Sequence, residues 1–201
     1  MMPDYLEVCE RAARRAGDVL LDHFGRVSAR HKGPADLVTD ADVASQEVVR
    51  KTLLEAFPDH MMVGEEDVSA ECPSGRSSPY RWIVDPLDGT TNYVHRVPFF
   101  CVSLALEREG TLLAATILNP TSGECFTAAA NRGAWLNGDR LRTSPVCTMS
   151  EALVAAGFPA AVSADSPDLK IFSELVLTSQ SLRRTGSAAL NLAYVAAGRF
   201  D

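Results

Sequence analysis

Residues 82–92 read W-I-V-D-P-L-D-G-T-T-N, and two carboxylates, Asp85 and Asp88, stand three apart in that run. Trp82, Ile83 and Val84 form a short apolar stretch suited to a buried strand. Pro86 fixes φ and cannot donate to a ladder, so the strand is expected to end at Asp85 and the chain to turn at Pro86. Gly89 permits close backbone approach, and Thr90, Thr91 and Asn92 offer hydroxyl and amide groups beside backbone N–H donors. Acids fixed at a strand end, followed by a Gly-Thr-Thr turn, can hold hard cations and a phosphate together. Cations need oxygen ligands, and phosphate needs convergent N–H groups. Asp-Pro and Asp-Gly are also ordinary turn formers, but a plain acidic turn does not require the whole ordered run.

Two further acidic clusters lie upstream, D-L-V-T-D-A-D at 36–42 and G-E-E-D at 64–67. Thr39 with Asp42 matches a capping box, and Glu65, Glu66 and Asp67 suit a solvated loop, so each cluster has a purely structural account. Three acidic groups, each anchored by an apolar segment, resemble the parts of an oxygen-ligand metal site. Like charges brought together need a cation to be stable.

The combination of 36–42, G-E-E at 64–66, the run 82–92 and Y-V-H-R-V-P-F at 93–99 resembles the inositol monophosphatase family of magnesium-dependent, lithium-sensitive phosphatases. Gly133-Ala134-Trp135, Asn137-Gly138 and Gly186-Ser187-Ala188-Ala189-Leu190-Asn191 extend the resemblance over nearly the whole chain. It implies an α/β fold, an α-β-α-β-α sandwich of the inositol monophosphatase and fructose-1,6-bisphosphatase type. The chain is expected to form a single phosphatase domain of two lobes. Residues 1–145 would carry a helix pair and an antiparallel sheet, and residues 146–201 an α/β lobe with its C-terminal part incomplete.

The resemblance also implies the site. Glu65, Asp85, Asp88 and the Leu87 carbonyl would be metal ligands, for two or three Mg²⁺ with Mn²⁺ as a substitute. Gly89, Thr90 and Thr91 would bind phosphate. Asp88, Gly186, Ser187 and Ala188 would face the substrate. Asp42, Thr90 and Glu65 would be catalytic, Thr90 passing a proton from a metal-activated water toward Asp42. Lys32, Asp36 and His95 read as structural. The family's W-D-x-A-A/G motif, with one more metal ligand, and a substrate-contacting Glu are expected beyond Asp201.

The expected activity is hydrolysis of a phosphomonoester, a small phosphorylated polyol or sugar of the inositol-1-phosphate type. Fructose 1,6-bisphosphate, a 3′-phosphoadenosine nucleotide and histidinol phosphate stay open as substrates, because the shared motifs recognise metal and phosphate only. A non-catalytic metal- or phosphate-binding protein is the reading from another class. Family members are often homodimers, so a homodimer is expected.

With 201 residues, 46% hydrophobic and 22% charged, the composition is that of a globular domain. A net charge of −7 without a basic stripe argues against nucleic acid as a partner. Cys9, Cys72, Cys101, Cys125 and Cys147 are scattered and odd in number, which reads as reduced thiols in a cytoplasmic protein. No apolar run reaches membrane-spanning length.

Several elements must position these groups. Leu6, Cys9, Ala13, Ala16, Leu20 and Phe24 recur at helical spacing up to Gly25. A second helix is expected over 42–57 before Pro58, and strands over 61–63 and 80–84. An antiparallel meander should follow over 99–107, 111–118 and 124–130, with a hairpin at Asn137-Gly138. Beyond Pro145 the pattern alternates: strand 153–156, helix 169–177, strand 182–184, helix 188–197.

Overall fold

The computed structural model describes residues 4–26, 29–33, 36–65, 78–159 and 162–201, with the side chains of residues 29–33 and 36–38 outside that description. Glu66, Asp67 and Cys72, and the side chains of Lys32 and Asp36, therefore lie outside the described groups.

Helix α1 (Tyr5–His23) starts where Asp4 accepts the Leu6 N–H at 2.8 Å. Its buried stripe is Val8, Cys9, Ala12, Ala13, Ala16 and Leu20, and the helix stops just before Gly25. Helix α2 (Asp40–Ala56) begins two residues earlier than the sequence pattern suggests, because Thr39 and Asp42 form the full capping box. A hairpin of β1 (Ala29–Gly33) and β2 (Asp36–Thr39) precedes it. The sequence pattern gave no sign of this hairpin: Arg30, His31 and Lys32 crowd one strand and leave no apolar alternation.

Seven strands form the main sheet in sequential order: β3 (Met61–Gly64), β4 (Tyr80–Asp88), β5 (Cys101–Arg108), β6 (Thr111–Asn119), β7 (Glu124–Ala129), β8 (Gly133–Leu136) and β9 (Asp139–Arg140). Strand β3 pairs with β4 in parallel, and all later neighbours are antiparallel. Asn137 and Gly138, both at positive φ, close the β8–β9 hairpin as a two-residue turn.

Strand β4 does not end at Asp85. It runs on to Asp88, with a register shift between Asp85 and Asp88. Pro86 sits inside that irregularity, where no ladder partner asks for its missing N–H, and the Leu87 N–H turns instead to Asp85 Oδ1 at 3.1 Å. A short helix α3 (Thr90–Val94) follows where a turn was expected.

Alternation along the strands separates two cores. Val102, Leu104 and Leu106 of β5 face α1 and α2 together with Trp82, Val84, Leu118 and Cys125. Cys101 and Phe126 point the other way, onto Leu190 and Ala193 of helix α5 (Ala188–Ala196). Helices thus cover both faces of the large sheet. A second, two-stranded parallel sheet of β10 (Leu153–Ala155) and β11 (Ser181–Arg183) carries α4 (Pro167–Thr178) against β11. This mixed α/β layering is the expected architecture.

Candidate active site

The site is assembled by strand register. Strands β3 and β4 run parallel with Gly64 opposite Val84, and the Glu65 N–H extends the ladder to the Val84 carbonyl at 3.1 Å. The next pair along is therefore Glu65 and Asp85. Helix α2 lies close over this end: Ser45 donates to the Pro86 carbonyl at 3.0 Å, and a Cβ on Gly64 would run into the Gln46 side-chain amide. A larger residue at 64 would have to displace the Gln46 side chain.

Asp85 feels that crowding. Burial pushes its carboxyl up, the charges of Glu65 and Asp88 push it further, and a hydrogen bond with Glu65 adds to the rise, reaching about 8 against the single opposing Leu87 N–H. Three acidic side chains from two strands thus act on one another at one strand end. Among the described residues no group of three or more His, Cys, Asp or Glu side chains closes to metal-holding spacing. Glu65 and Asp85 share a side-chain hydrogen bond, and Asp88 acts on Asp85 through its charge.

Asp88 is tied to α5. Its Oδ2 accepts the Ser187 hydroxyl at 2.6 Å and the Ala189 N–H at 2.7 Å, with the Cys101 thiol at 3.8 Å. Ser187 is also the N-cap of α5, its oxygen accepting the Leu190 N–H at 3.3 Å. A carboxylate at a helix N-terminus is favoured by the dipole.

Thr90 opens α3 and faces two acceptors, the Leu87 carbonyl at 3.1 Å and Asp42 Oδ1 at 3.4 Å. Asp42 is 1% exposed. Its Oδ2 takes the Thr39 N–H at 2.9 Å and the Thr39 hydroxyl at 2.6 Å. The capping role and the site role of Asp42 therefore coexist, one on each oxygen. Gly89 caps α3 at φ 100° with no side-chain acceptor for the first-turn N–H groups. Such groups are the donors an anion uses.

The structure brings Glu65, Asp85, Leu87, Asp88, Thr90 and Asp42 together. Gly186 also reaches the site, at φ 91°, where a Cβ would clash with Asn92 at 2.8 Å and where its carbonyl lies 3.3 Å from a Cβ built on Gly89. Ser187 is 1% exposed, and its hydroxyl meets Asp88 rather than the open pocket. Ala188 and Thr91 are exposed, and His95 is exposed at the C-cap of α3.

Two contributors make contacts the sequence reading did not foresee. Asn92 Nδ2 donates to both the Phe99 carbonyl at 2.7 Å and the Thr185 carbonyl at 2.8 Å, joining α3 to the loop before α5. Its place in the 82–92 run was the only signal. Cys101 lies against Asp88 and Ser187, and burial holds its thiol well above the usual range. It read only as one apolar strand residue among several.

The donor set fits a hard divalent cation. Glu65, Asp85 and Asp88 carboxylates and the Leu87 carbonyl are all oxygen ligands. The proton-holding strain on Asp85 is what such a cation relieves.

Comparison with known proteins agrees. The model of the inositol monophosphatase family matches residues 2–201. "Nus factor SuhB" of Pseudomonas aeruginosa is 42% identical over 206 residues, covering 100% of this chain and 76% of that protein. "Inositol-1-monophosphatase" of Rhizobium meliloti is 40% identical over 200 residues, covering 98% and 74%. The crystal structure of the extragenic suppressor protein suhB from Bartonella henselae superposes with a TM-score of 0.88 at 38% identity, covering 97% of this chain and 75% of that one. A more distant structure, an IMPase/NADP phosphatase complexed with Mg²⁺ and phosphate, gives a TM-score of 0.77 at 25% identity over 92% and 68%. The chain belongs to the inositol monophosphatase family.

Proposed function

We propose that this protein is a Mg²⁺-dependent phosphomonoester hydrolase acting on a small phosphorylated polyol of the inositol-1-phosphate type. The observation that carries it is the meeting of Glu65, Asp85 and Asp88 beside the Thr90–Asp42 pair. When bound, about two to three Mg²⁺ ions offset the charge of these carboxylates and of the phosphoester and acidify the attacking water.

The chain's own groups divide the remaining work. First-turn N–H groups of Gly89, Thr90 and Thr91 hold phosphate oxygens. Thr90 Oγ1 accepts a proton from the water as its own proton passes to Asp42 Oδ1, so the water oxygen attacks phosphorus as hydroxide. The P–O ester bond breaks with its electron pair going to the leaving oxygen, which takes a proton from a solvent water; Asp42 returns its proton to solvent, and inorganic phosphate remains. Burial of Asp42 among the Thr39 donors fixes its Oδ1 toward Thr90. The polyol lies along Asp88, Gly186 and Ala188. Two lobes, residues 1–145 and 146–201, border this pocket, since the Thr185–Ala189 stretch belongs to the second and reaches the first through Asn92 and Asp88.

No described helix is long and apolar enough to cross a membrane. The described cysteines, Cys9, Cys101, Cys125 and Cys147, are unpaired, in keeping with a reducing, cytoplasmic setting. A second reading rests on the name of the Pseudomonas aeruginosa relative: a Nus factor role alongside the hydrolase.

A panel of inositol 1-phosphate, fructose 1,6-bisphosphate, a 3′-phosphoadenosine nucleotide and histidinol phosphate, each assayed with Mg²⁺ and with chelator, tests the assignment. Phosphate release restricted to Mg²⁺ and strongest with inositol 1-phosphate supports it. Release that survives chelation contradicts it.

A further inference from the structure

Asp88 offers its two oxygens to different neighbours. Oδ2 carries three donors from the far side: the Ser187 hydroxyl at 2.6 Å, the Ala189 N–H at 2.7 Å and the Cys101 thiol at 3.8 Å. Such an oxygen has little lone-pair capacity left. Oδ1 is the oxygen that remains for the pocket. Ser187 is buried at 1% exposure, behind Asp88 as seen from the site, and it holds α5 by capping Leu190 at 3.3 Å.

We propose that Ser187 is a positioning residue, not a substrate contact: its hydroxyl pins Asp88 Oδ2 so that Asp88 presents Oδ1 alone to the cation. The inference rests on the cation reading above and deepens it. A free aspartate rotates about χ2 between one-oxygen and two-oxygen presentation. Fixing Oδ2 on a helix N-cap removes that freedom before the cation arrives. The same hydroxyl ties the orientation of Asp88 to the seating of α5, and Asn92 ties the preceding loop to α3. Groups behind a ligand of this kind are generally worth 10–100-fold in metal affinity.

Calorimetric titration of the substrate-free protein with MgCl₂ tests this. Ser187→Ala should weaken Mg²⁺ binding by roughly 10–100-fold, and Ser187→Thr, which keeps the hydroxyl, should stay within about threefold. Ser187→Gly is the companion variant, because glycine at an N-cap keeps most of the helix stability while deleting the hydroxyl. It should weaken Mg²⁺ binding like Ser187→Ala even if the alanine variant folds poorly. In an Asp88→Asn background, Ser187→Gly should change Mg²⁺ affinity no further, since the two act as one unit. Wild-type affinity in Ser187→Gly, or an equal additional loss in the Asp88→Asn background, overturns the proposal while leaving the phosphatase reading intact. A wild-type protein that takes up no Mg²⁺ removes both.

Discussion

Glu65, one residue past the end of β3, sits beside Asp85 near the end of the parallel strand β4, placed there by one backbone hydrogen bond, Glu65 N–H to the Val84 carbonyl at 3.1 Å. Parallel pairing is what allows it, because both strands then deliver their C-terminal residues to the same edge. Burial of Asp85, with the Glu65 and Asp88 charges added to it, keeps a proton on Asp85 up to about pH 8.

That proton makes stability depend on pH in an unusual direction for a carboxylate. In the unfolded chain Asp85 ionises near 3.8, and in the folded protein near 8. Between those values the folded state holds a proton the unfolded state lacks, so stability falls as pH rises and the contribution is gone above about 8. In chelator, the urea midpoint should drop between pH 5 and pH 9, and Asp85→Asn should flatten the drop. Saturating Mg²⁺ should flatten the slope, since the cation displaces the proton and neither the folded nor the unfolded state then holds one on Asp85 over this range. A midpoint in chelator that rises over this range in the wild type would count against the cluster.

The Thr90 hydroxyl has one proton and two acceptors, Leu87 at 3.1 Å and Asp42 at 3.4 Å. Thr90→Ala should lower kcat by roughly 10²–10⁴-fold, the range for a lost proton-transfer group. Mg²⁺ affinity should change only a few-fold, and Thr90→Ser should retain most of kcat. Steady-state kinetics paired with Mg²⁺ titration separates the two effects. A variant that loses Mg²⁺ binding and keeps kcat would place Thr90 on the cation instead.

His60 is stacked between Phe57, 4.8 Å away, and Tyr80, 4.6 Å away, and its Nδ1 is buried without a partner. Burial lowers its pKa from 6.5, opposed by the nearby Asp59 charge. The unfolded state therefore takes up a proton first as pH falls. Stability from this packing is present above about 6.5 and is lost as pH drops from there through the folded value. His60→Phe should abolish that part of the acid sensitivity between pH 7 and pH 5 in denaturant titrations. An unchanged acid dependence would assign it to other groups.

Much of this was legible in the residues. The stripe of Leu6, Cys9, Ala13, Ala16, Leu20 and Phe24 and the Asn137-Gly138 turn follow local rules, and in the structure Cys9, Ala13, Ala16 and Leu20 are buried along α1 with Leu6 and Phe24 partly so. The acidic clusters pointed to one site because each stood at the end of an apolar segment. What local rules missed depended on distant partners. Pro86 looked like a strand breaker, yet a register shift absorbs it. Helix α3 is too short to show periodicity. Ser187 read as a residue lining the substrate, whereas its buried hydroxyl meets Asp88 ninety-nine positions away. No spacing rule encodes a contact of that separation.

The most direct test of the account is Asp85→Asn assayed for phosphate release against inositol 1-phosphate across a Mg²⁺ titration. Asp85 interacts with both Glu65 and Asp88, so the variant should lose at least about 10²-fold in activity at any Mg²⁺ concentration. It should stay folded, with thermal stability in chelator close to that of the wild type below about pH 8, where Asp85 is already protonated, and above it at higher pH, where the amide removes a repulsive charge. Activity within a few-fold of the wild type at saturating Mg²⁺ would contradict the account.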